Sequence, residues 1–278
     1  MWYEPQTATG GGPGFARRRK LLSAQAMAEP NIAVAPESAL RVDRTGGPRV
    51  ALSPYVFRGM MVGMAGVAVV LDRVTGRRDL TWRFAKAQAR TLARLLGVRV
   101  TMRGLEHLDP HASYVFTPNH QSHLDIVALL GYLPGPTRFA AKHELWRQPI
   151  VGAILDTLGM VPIDRERPQG ALAALARAVA DGGSIVIFPE GTRSRTGTLL
   201  PFKRGAFTLA IASRLPIVPV VCRGTRRLMP RGSRLTVLPG DVEVIVQQPI
   251  PTADLCEDDR EALAARVRQA IERYHTGW

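Results

Sequence analysis

The pattern of hydrophobic and polar residues divides the chain into three parts. The first part, residues 1–49, has no long apolar stretch, many glycines and prolines, and a basic run at Arg17–Lys20. Such a composition buries too little apolar surface to support a fold, so we predict a disordered basic leader. An organelle-targeting peptide is the alternative interpretation of this segment.

The second part begins with an apolar segment at Val50–Leu71. Within it, Gly59–Leu71 is thirteen residues without a charge, preceded by the lone Arg58. This run is shorter than the roughly 20 residues that cross a bilayer as a helix, and joining the segment across Arg58 puts a charge near its middle. The pattern favours a helix embedded in one leaflet, or a marginal span, over the alternative of a buried core helix.

The next segment, Leu80–Leu96, has the period of an amphipathic helix. Its apolar residues fall on one side, and the other side contains Arg83, Lys86, Arg90 and Arg94. Such a helix lies naturally on an anionic lipid surface, although a surface helix of a globular domain has the same pattern. We therefore predict that residues 50–97 form a membrane-associated two-helix element.

The third part, residues 98–278, alternates short apolar strands with helical segments. We predict strands at Val98–Arg103, Tyr114–Thr117, Arg138–Ala141, Met160–Ile163, Ser184–Phe188, Ile217–Val221, Leu235–Leu238 and Val242–Gln247. We predict helices at Ser122–Leu133, Glu144–Leu158, Gln169–Asp181, Gly205–Ser213 and Asp254–Tyr274. This order predicts an α/β fold, a mostly parallel layered sheet flanked by helices, with the last two strands as a hairpin around Pro239–Gly240.

The charge of the chain adds a partner to this picture. There are 37 Lys and Arg residues against 23 Asp and Glu, which gives a formal net charge of +14. Such a balance predicts an anionic partner, which is nucleic acid, a membrane surface or a phosphorylated ligand. The two cysteines, Cys222 and Cys256, exclude a disulfide scaffold and a cysteine-based zinc site.

The first chemical candidate is the segment Asn119–Asp125, N-H-Q-S-H-L-D, at the end of a predicted strand. Catalytic groups of open α/β sheets gather at such strand ends. A turn between His120 and Asp125 brings the carboxylate onto one imidazole nitrogen and leaves the other as a general base. The same spacing fits a capping box, in which Ser122 caps the helix and Asp125 bonds back to it. His123 is either a second imidazole of the site or a surface histidine.

The second candidate is Phe188–Ser194, F-P-E-G-T-R-S, directly after another apolar strand. Gly191 permits a tight turn, and Arg193 can hold a phosphate through two parallel hydrogen bonds. The loop continues through Lys203 into a helix, whose N-terminus favours anions. Residues 191–240 contain ten Lys or Arg and no Asp or Glu. The pattern predicts phosphate recognition, because a merely solvated basic surface explains the charge but not the motif.

Other chemistries lack their motifs in this sequence. It has no G-x-G-x-x-G dinucleotide turn, no G-x-x-x-x-G-K-[ST] phosphate loop, no G-x-S-x-G elbow and no H-E-x-x-H zinc pattern. We therefore expect no bound cofactor and no metal.

Together the two motifs resemble the signatures of one family. N-H-Q-S-H-L-D at 119–125 and F-P-E-G-T-R-S at 188–194 are similar to those of glycerolipid acyltransferases, specifically 1-acylglycerol-3-phosphate acyltransferases. Further matching positions are Lys142, Glu144-Leu145, Pro149, Gly152, Gly159–Arg165 and Ile217–Val220. The resemblance covers roughly residues 80–250, and the leader has no counterpart in it.

The resemblance implies acyl transfer from a thioester to the free hydroxyl of lysophosphatidic acid, which gives phosphatidic acid without an acyl-enzyme intermediate. It makes His120 the general base and Asp125 the residue that orients it. The residues that it places in the glycerol-phosphate pocket are Arg165, Glu190, Gly191, Thr192, Arg193 and Lys203. Relatives often have an aromatic residue where His123 stands, and those that acylate glycerol 3-phosphate often have Gly-Gly in place of Gly191-Thr192.

The resemblance also implies the surroundings of the reaction. The co-substrate is expected to be acyl-CoA or an acyl-acyl carrier protein, and the partners are a membrane lipid substrate and an anionic membrane surface, not nucleic acid. The expected location is the cytoplasmic face of a membrane. Three alternatives stay open, namely another lyso-lipid acceptor, a lipid-directed hydrolase in which His120 activates water, and a non-enzymatic lipid- or nucleic-acid-binding protein.

Overall fold

A central β-sheet organises the residues that the computed structural model describes, which are 32–163 and 183–275. The strands in this part of the chain are β1 (Val98–Arg103), β2 (Val115–Pro118), β3 (Thr137–Lys142), β4 (Val161–Ile163), β5 (Ser184–Val186), β6 (Ile217–Arg223) and β7 (Gly240–Val246). They lie side by side in the order β1-β7-β6-β2-β5-β3-β4. Neighbouring strands are parallel, except that β6 and β7 are antiparallel. The predicted fold class is confirmed.

Helices cover both faces of this sheet. Those in the described residues are α1 (Pro48–Thr75), α2 (Arg78–Leu95), α3 (Leu124–Tyr132), α4 (Pro149–Thr157), α5 (Gly205–Ser213), α6 (Thr225–Leu228) and α7 (Arg260–Tyr274). One apolar core includes α2 and α3, and a second includes α5 and α7. Val220 and Val221 belong to different cores, because successive side chains of a strand point to opposite faces of the sheet.

The predicted strand at Leu235–Leu238 is wrong. Arg234 and Leu235 have φ values of 52° and 72°, which are turn conformations, and the Thr236 amide donates to the Ser233 carbonyl. The hairpin around Pro239–Gly240 is therefore absent. Instead, β7 pairs antiparallel with β6 and parallel with β1, at residues far away in sequence.

Two predicted helices have different boundaries in the structure. The segment Glu144–Leu158 forms a 3₁₀-helix at His143–Arg147 and then α4, because Gln148 is extended before the proline that starts α4. The C-terminal helix begins at Arg260 and not at Asp254. The helix predicted at Gln169–Asp181 lies outside the described residues.

The described end of the predicted disordered leader, residues 32–47, is folded onto the domain, which corrects this part of the prediction. The Arg223 guanidinium donates to the Ala35 carbonyl at 2.6 Å, and the Gly224 amide donates to the Glu37 carboxylate at 2.8 Å. The Ile32 amide donates to the Tyr274 hydroxyl at 2.8 Å. The many glycines and prolines of residues 1–49 concealed this segment, whose main-chain atoms make most of its hydrogen bonds to the domain.

Helix α1 supports the prediction of an apolar membrane-associated segment. Its 28 residues start with Pro48 in the first turn and end before Gly76, whose φ of 63° terminates the helix. By length and composition it can cross a membrane, and only 12% of its most apolar window is buried inside the protein. That low burial disfavours the alternative of a core helix.

Helix α2 differs from the prediction on its apolar side. Trp82, Ala85, Ala89 and Leu92 are buried, in the core that also contains the side chains of α3. This side of the helix therefore faces protein and not lipid. The amphipathic pattern is the same for both surroundings, so the sequence alone did not separate them.

Candidate active site

The site lies at the carboxyl ends of β2, β5 and β6, where ligands and catalytic groups collect in open parallel sheets. β2 is flanked by β5 and β6 and runs parallel to both. The segment Asn119–Asp125 follows β2, the segment Phe188–Ser194 follows β5, and α6 follows β6. The topology thus brings both sequence motifs to one edge of the sheet.

Asn119 fixes the start of the first motif to the neighbouring strand. Its side-chain amide donates to the Cys222 carbonyl at 3.0 Å and accepts from the Cys222 amide at 2.7 Å. The side chain thereby imitates one more rung of strand pairing after β2 has ended. The chain turns from this fixed point into His120.

The predicted contact between His120 and Asp125 is present. The His120 Nδ1 lies 2.9 Å from Oδ2 of Asp125, whose side chain is completely buried. The same oxygen accepts from the amides of Gln121 at 2.7 Å and Ser122 at 2.8 Å. One carboxylate therefore serves both functions that the sequence left as alternatives, since it holds the imidazole and also bonds back to the start of α3.

The rest of the His120 residue is held on several sides. Its ring stacks on Phe188, with 3.8 Å between the ring centroids. Its amide donates to Oε1 of Glu190 at 2.7 Å, and its carbonyl accepts from the Ser194 amide at 2.8 Å. Because the Asp125 carboxylate can only accept a hydrogen bond, Nδ1 is the ring nitrogen that carries the hydrogen, and Nε2 keeps a free lone pair. The side chain is 13% exposed, so a ligand can reach it.

Glu190 is a buried link between the two motifs. Its Oε1 receives the His120 amide, and its Oε2 receives the Leu200 amide at 2.9 Å. Only 2% of the residue is exposed. Burial raises the pKa of Glu190 to about 7, although the two backbone hydrogen bonds act in the opposite direction. Both oxygens of this carboxylate have backbone partners, and the place in the glycerol-phosphate pocket that the resemblance implies for Glu190 stays a prediction.

Three more of the predicted pocket residues, Gly191, Thr192 and Lys203, lie along the same loop. Gly191 has a φ of 67°, a backbone conformation that residues other than glycine rarely adopt, so the turn needs a glycine. Thr192 and Lys203 are exposed, and the Lys203 amide donates to the Pro189 carbonyl at 2.7 Å. Arg165 lies outside the described residues.

Arg193 is a half-buried cation close to the His–Asp pair. Burial and the charge of Arg231 lower the pKa of its guanidinium, whereas Asp125 acts in the opposite direction. Burial, Arg193 and His120 together lower the pKa of His123 to about 4, which keeps this imidazole neutral at pH 7. Among the described residues, no carboxylate forms an ion pair with Arg193.

Sequence reasoning missed the arginines that hold the loop at 190–200. The guanidinium of Arg231 donates to the Arg193 carbonyl at 2.8 Å, and that of Arg226 donates to the Arg195 carbonyl at 3.0 Å. Arg268 of α7 donates to the Leu200 carbonyl at 2.9 Å. Three arginine side chains from outside this loop therefore hold the main chain of residues 190–200 in place.

Gln121 is a further residue that the sequence did not single out. Its side-chain nitrogen lies 2.9 Å from the Gly197 carbonyl and 2.7 Å from Nε2 of His275. It connects the turn after β2 to the loop after β5 and to the end of α7. Within the described residues, no group of three His, Cys, Asp or Glu side chains is placed to hold a metal ion.

Comparison with known proteins places this site in a family. A family model described as Acyltransferase matches residues 99–223, which include both motifs. The 1-acyl-sn-glycerol-3-phosphate acyltransferase alpha of Homo sapiens is 34% identical over 219 residues, 77% of each chain. The chloroplastic 1-acyl-sn-glycerol-3-phosphate acyltransferase BAT2 of Brassica napus is 39% identical over 173 residues, 60% of this chain and 50% of that protein.

A solved structure has the same fold. The crystal structure of the 1-acyl-sn-glycerophosphate (LPA) acyltransferase PlsC from Thermotoga maritima superposes with a TM-score of 0.68 at 24% identity, over 83% of this chain and 96% of that one. The resemblance inferred from the two motifs is confirmed. Because the chain is 34% identical to the human protein over 77% of each chain, it belongs to the 1-acyl-sn-glycerol-3-phosphate acyltransferase family and is an acyltransferase.

Proposed function

We propose that this enzyme transfers a fatty acyl group from a thioester to the free hydroxyl of lysophosphatidic acid and so makes phosphatidic acid. The observation that carries the proposal is the His120–Asp125 pair at 2.9 Å, with the cation of Arg193 at the same sheet edge. A hydroxyl acceptor with a phosphate requires a base and a cation, and this cation has no carboxylate partner among the described residues. The names of the relatives agree with this acceptor.

In the proposed reaction, Nε2 of His120 removes the proton of the acceptor hydroxyl while its oxygen attacks the thioester carbonyl. The tetrahedral intermediate collapses, the carbon–sulfur bond breaks, and the imidazolium returns the proton to the thiolate. Asp125 stabilises the imidazolium and keeps the proton on Nδ1. The products are an oxygen ester and a free thiol, and no acyl-enzyme forms.

The acceptor phosphate is proposed to bind Arg193, with Lys203 and Arg165 as further contacts and the Gly191–Thr192 turn beside it. The guanidinium suits this function because its planar fork matches two phosphate oxygens. Burial strengthens the interaction, since the site has a lower dielectric constant than water. Glu190 is proposed as a positioning residue that keeps His120 and this loop in register.

The lipid substrate is proposed to reach the site from a membrane to which α1 attaches the enzyme. Seven of the large hydrophobic side chains that are exposed in the described residues lie on this helix. They are Leu52, Tyr55, Met61, Val62, Val67, Val70 and Val74. Arg83 and Arg94 of α2 are exposed and available to anionic headgroups. We assign the enzyme to the cytoplasmic face, where acyl-CoA or acyl-acyl carrier protein serves as donor.

The test is a product assay with the full-length protein in anionic vesicles. Lysophosphatidic acid, lysophosphatidylcholine and glycerol 3-phosphate are offered with acyl-CoA or with acyl-acyl carrier protein, and the products are identified by mass. We expect phosphatidic acid as the main product. A better yield from lysophosphatidylcholine would assign another acceptor, whereas free fatty acid without an acceptor would indicate a hydrolase.

A further inference from the structure

Arg231, which neither sequence motif contains, lies next to the cation of the second motif. It comes after α6, and one of its terminal nitrogens donates to the main-chain carbonyl of Arg193 at 2.8 Å. Its charge is close enough to lower the pKa of the Arg193 guanidinium. Two like charges are thus placed together, although their mutual repulsion costs free energy.

Protein carboxylates do not neutralise this pair within the described residues. Residues 191–240 contain no Asp or Glu, and the ion pairs of the described residues include neither Arg193 nor Arg231. Arg223 offers a contrast, since it is paired with Glu243 at 2.6 Å. Arg223 thus has a carboxylate partner inside the protein, whereas Arg193 and Arg231 have none among the described residues.

The charge of the pair matches one class of phosphate better than another. A phosphate monoester carries about −1.5 to −2 charges near pH 7, and the phosphodiester of a lyso-lipid headgroup carries about one. A single guanidinium compensates one negative charge. The second guanidinium therefore contributes its full binding free energy only when the ligand is a monoester with a second charge. We propose that Arg193 and Arg231 form a two-guanidinium clamp for the phosphate monoester of the acceptor, in which Arg231 sets the preference for monoester over diester.

This inference rests on the proposed acceptor, and it adds a residue that determines specificity. The two guanidiniums are expected to act differently. Arg193, half-buried near His120, contacts any acceptor phosphate. Arg231 is exposed and contributes mainly to the second charge. Loss of Arg231 therefore lowers selectivity more than it lowers turnover.

The experiment compares lysophosphatidic acid with its phosphate methyl ester, in which one methyl group removes the second charge. Saturation curves for both acceptors are measured in vesicles for the wild type, Arg231→Ala and Arg231→Gln. Glutamine keeps a nitrogen donor for the Arg193 carbonyl but lacks the charge. The matched control is Arg226→Ala, because Arg226 binds the Arg195 carbonyl of the same loop at 3.0 Å.

We expect the wild type to prefer the monoester, and both Arg231 variants to lose roughly tenfold of that preference through a higher KM for the monoester. Arg226→Ala should keep the wild-type preference. A wild-type preference in Arg231→Gln, or an equal loss in Arg226→Ala, would show that Arg231 only supports the loop. Unchanged selectivity in both Arg231 variants overturns the clamp, whereas failure of the wild type to acylate lysophosphatidic acid overturns the proposed function instead.

Discussion

The turn after β2 and the loop after β5 meet at one edge of the sheet but treat charge in opposite ways. In the turn, the Asp125 carboxylate is buried and receives three protein groups, namely the His120 ring and the amides of Gln121 and Ser122. In the loop, the Arg193 guanidinium is half-buried without a carboxylate partner among the described residues. Protein groups there bind the main chain and leave the charged side chain to a ligand.

The difference separates catalysis from binding. A charge that protein groups contact can be held in one orientation before the substrate arrives, which is what proton transfer requires. A charge that lacks a protein partner instead gains most when an anion binds. Damage to the turn should therefore appear mainly in kcat, and damage to the loop mainly in the KM of the acceptor.

The largest effect is expected for His120→Ala. General-base catalysis contributes typically about 10² to 10⁴ in rate, and the proposed mechanism contains no nucleophilic side chain that replaces it. We expect kcat to fall by at least that factor, with vesicle binding and the unfolding midpoint close to those of the wild type. Turnover near the wild-type rate in the folded variant would show that His120 is not the general base. The turn and the loop would then not differ in the way proposed.

The second effect concerns Arg193. A charge-assisted hydrogen bond contributes about 1.5 to 3 kcal/mol, which corresponds to roughly 10- to 150-fold in binding. Arg193→Ala should raise the acceptor KM by about that factor and change the donor KM less. Arg193→Lys should rescue only part of the loss, because an ammonium lacks the two-pronged geometry. Equal shifts of both KM values would mean that the loop does not bind the acceptor phosphate.

Glu190 contacts both regions, since its carboxylate accepts from the amides of His120 in the turn and Leu200 in the loop. Its replacement should therefore affect the turn as well as the loop. Glutamine at position 190 can accept only one of the two amide hydrogens, which loosens His120 relative to the loop. We expect Glu190→Gln to lower kcat about tenfold, in line with the loss of one buried hydrogen bond to a charged group. If Glu190 instead contacts the substrate directly, the substitution should raise the acceptor KM and leave kcat unchanged.

The same residue predicts a pH dependence of stability. Its pKa rises from 4.5 to about 7 on folding, so the folded protein binds this proton more tightly than the unfolded chain does. The stabilisation is complete below about pH 4.5 and is lost as the pH rises through 7. Unfolding midpoints of the wild type and Glu190→Gln across this range test it, since the variant should decline less. Parallel curves would contradict the assigned pKa.

The smallest effects are expected from helix α2, whose basic residues divide into two kinds. Lys86 donates to the carbonyls of Leu133 and Gly135, and Arg90 donates to the Gly131 carbonyl at 2.7 Å, so both hold the far end of α3. Replacing both by methionine should cost roughly 1 to 3 kcal/mol of unfolding free energy and reduce kcat less than tenfold.

The matched control replaces the exposed Arg83 and Arg94 by methionine. This pair should leave stability unchanged and weaken binding to anionic vesicles by about 1 kcal/mol for each charge. Chemical denaturation and vesicle sedimentation distinguish the two outcomes. If both pairs affect only vesicle binding, α2 does not brace the helix that carries Asp125.

The sequence predicted those features whose signals are local. The strands are short apolar runs, and the two motifs carry their chemistry within a few residues, so their placement at strand ends was predictable. The arginines that bind the loop were not. Arg231, Arg226 and Arg268 lie 38, 31 and 68 residues from the carbonyls that they hold, and a donor to a carbonyl leaves no pattern in the sequence. The apolar side of α2 was misassigned because core and lipid select the same side chains.

The contacts of residues 32–43 have a consequence for how such proteins diverge. The domain binds this segment through the carbonyls of Ala35, Glu37 and Leu40 and the amide of Asp43. Any amino acid supplies a carbonyl, and every one except proline supplies an amide. Substitutions can therefore accumulate there without detaching the segment from the domain, except at Glu37, whose carboxylate accepts from the Gly224 amide, and at the apolar positions that pack against the cores, Ile32, Val34 and Val42. We expect orthologues to keep the backbone conformation of this segment even where its sequence can no longer be aligned. Structural superposition would then detect the common ancestry of this segment when sequence comparison does not.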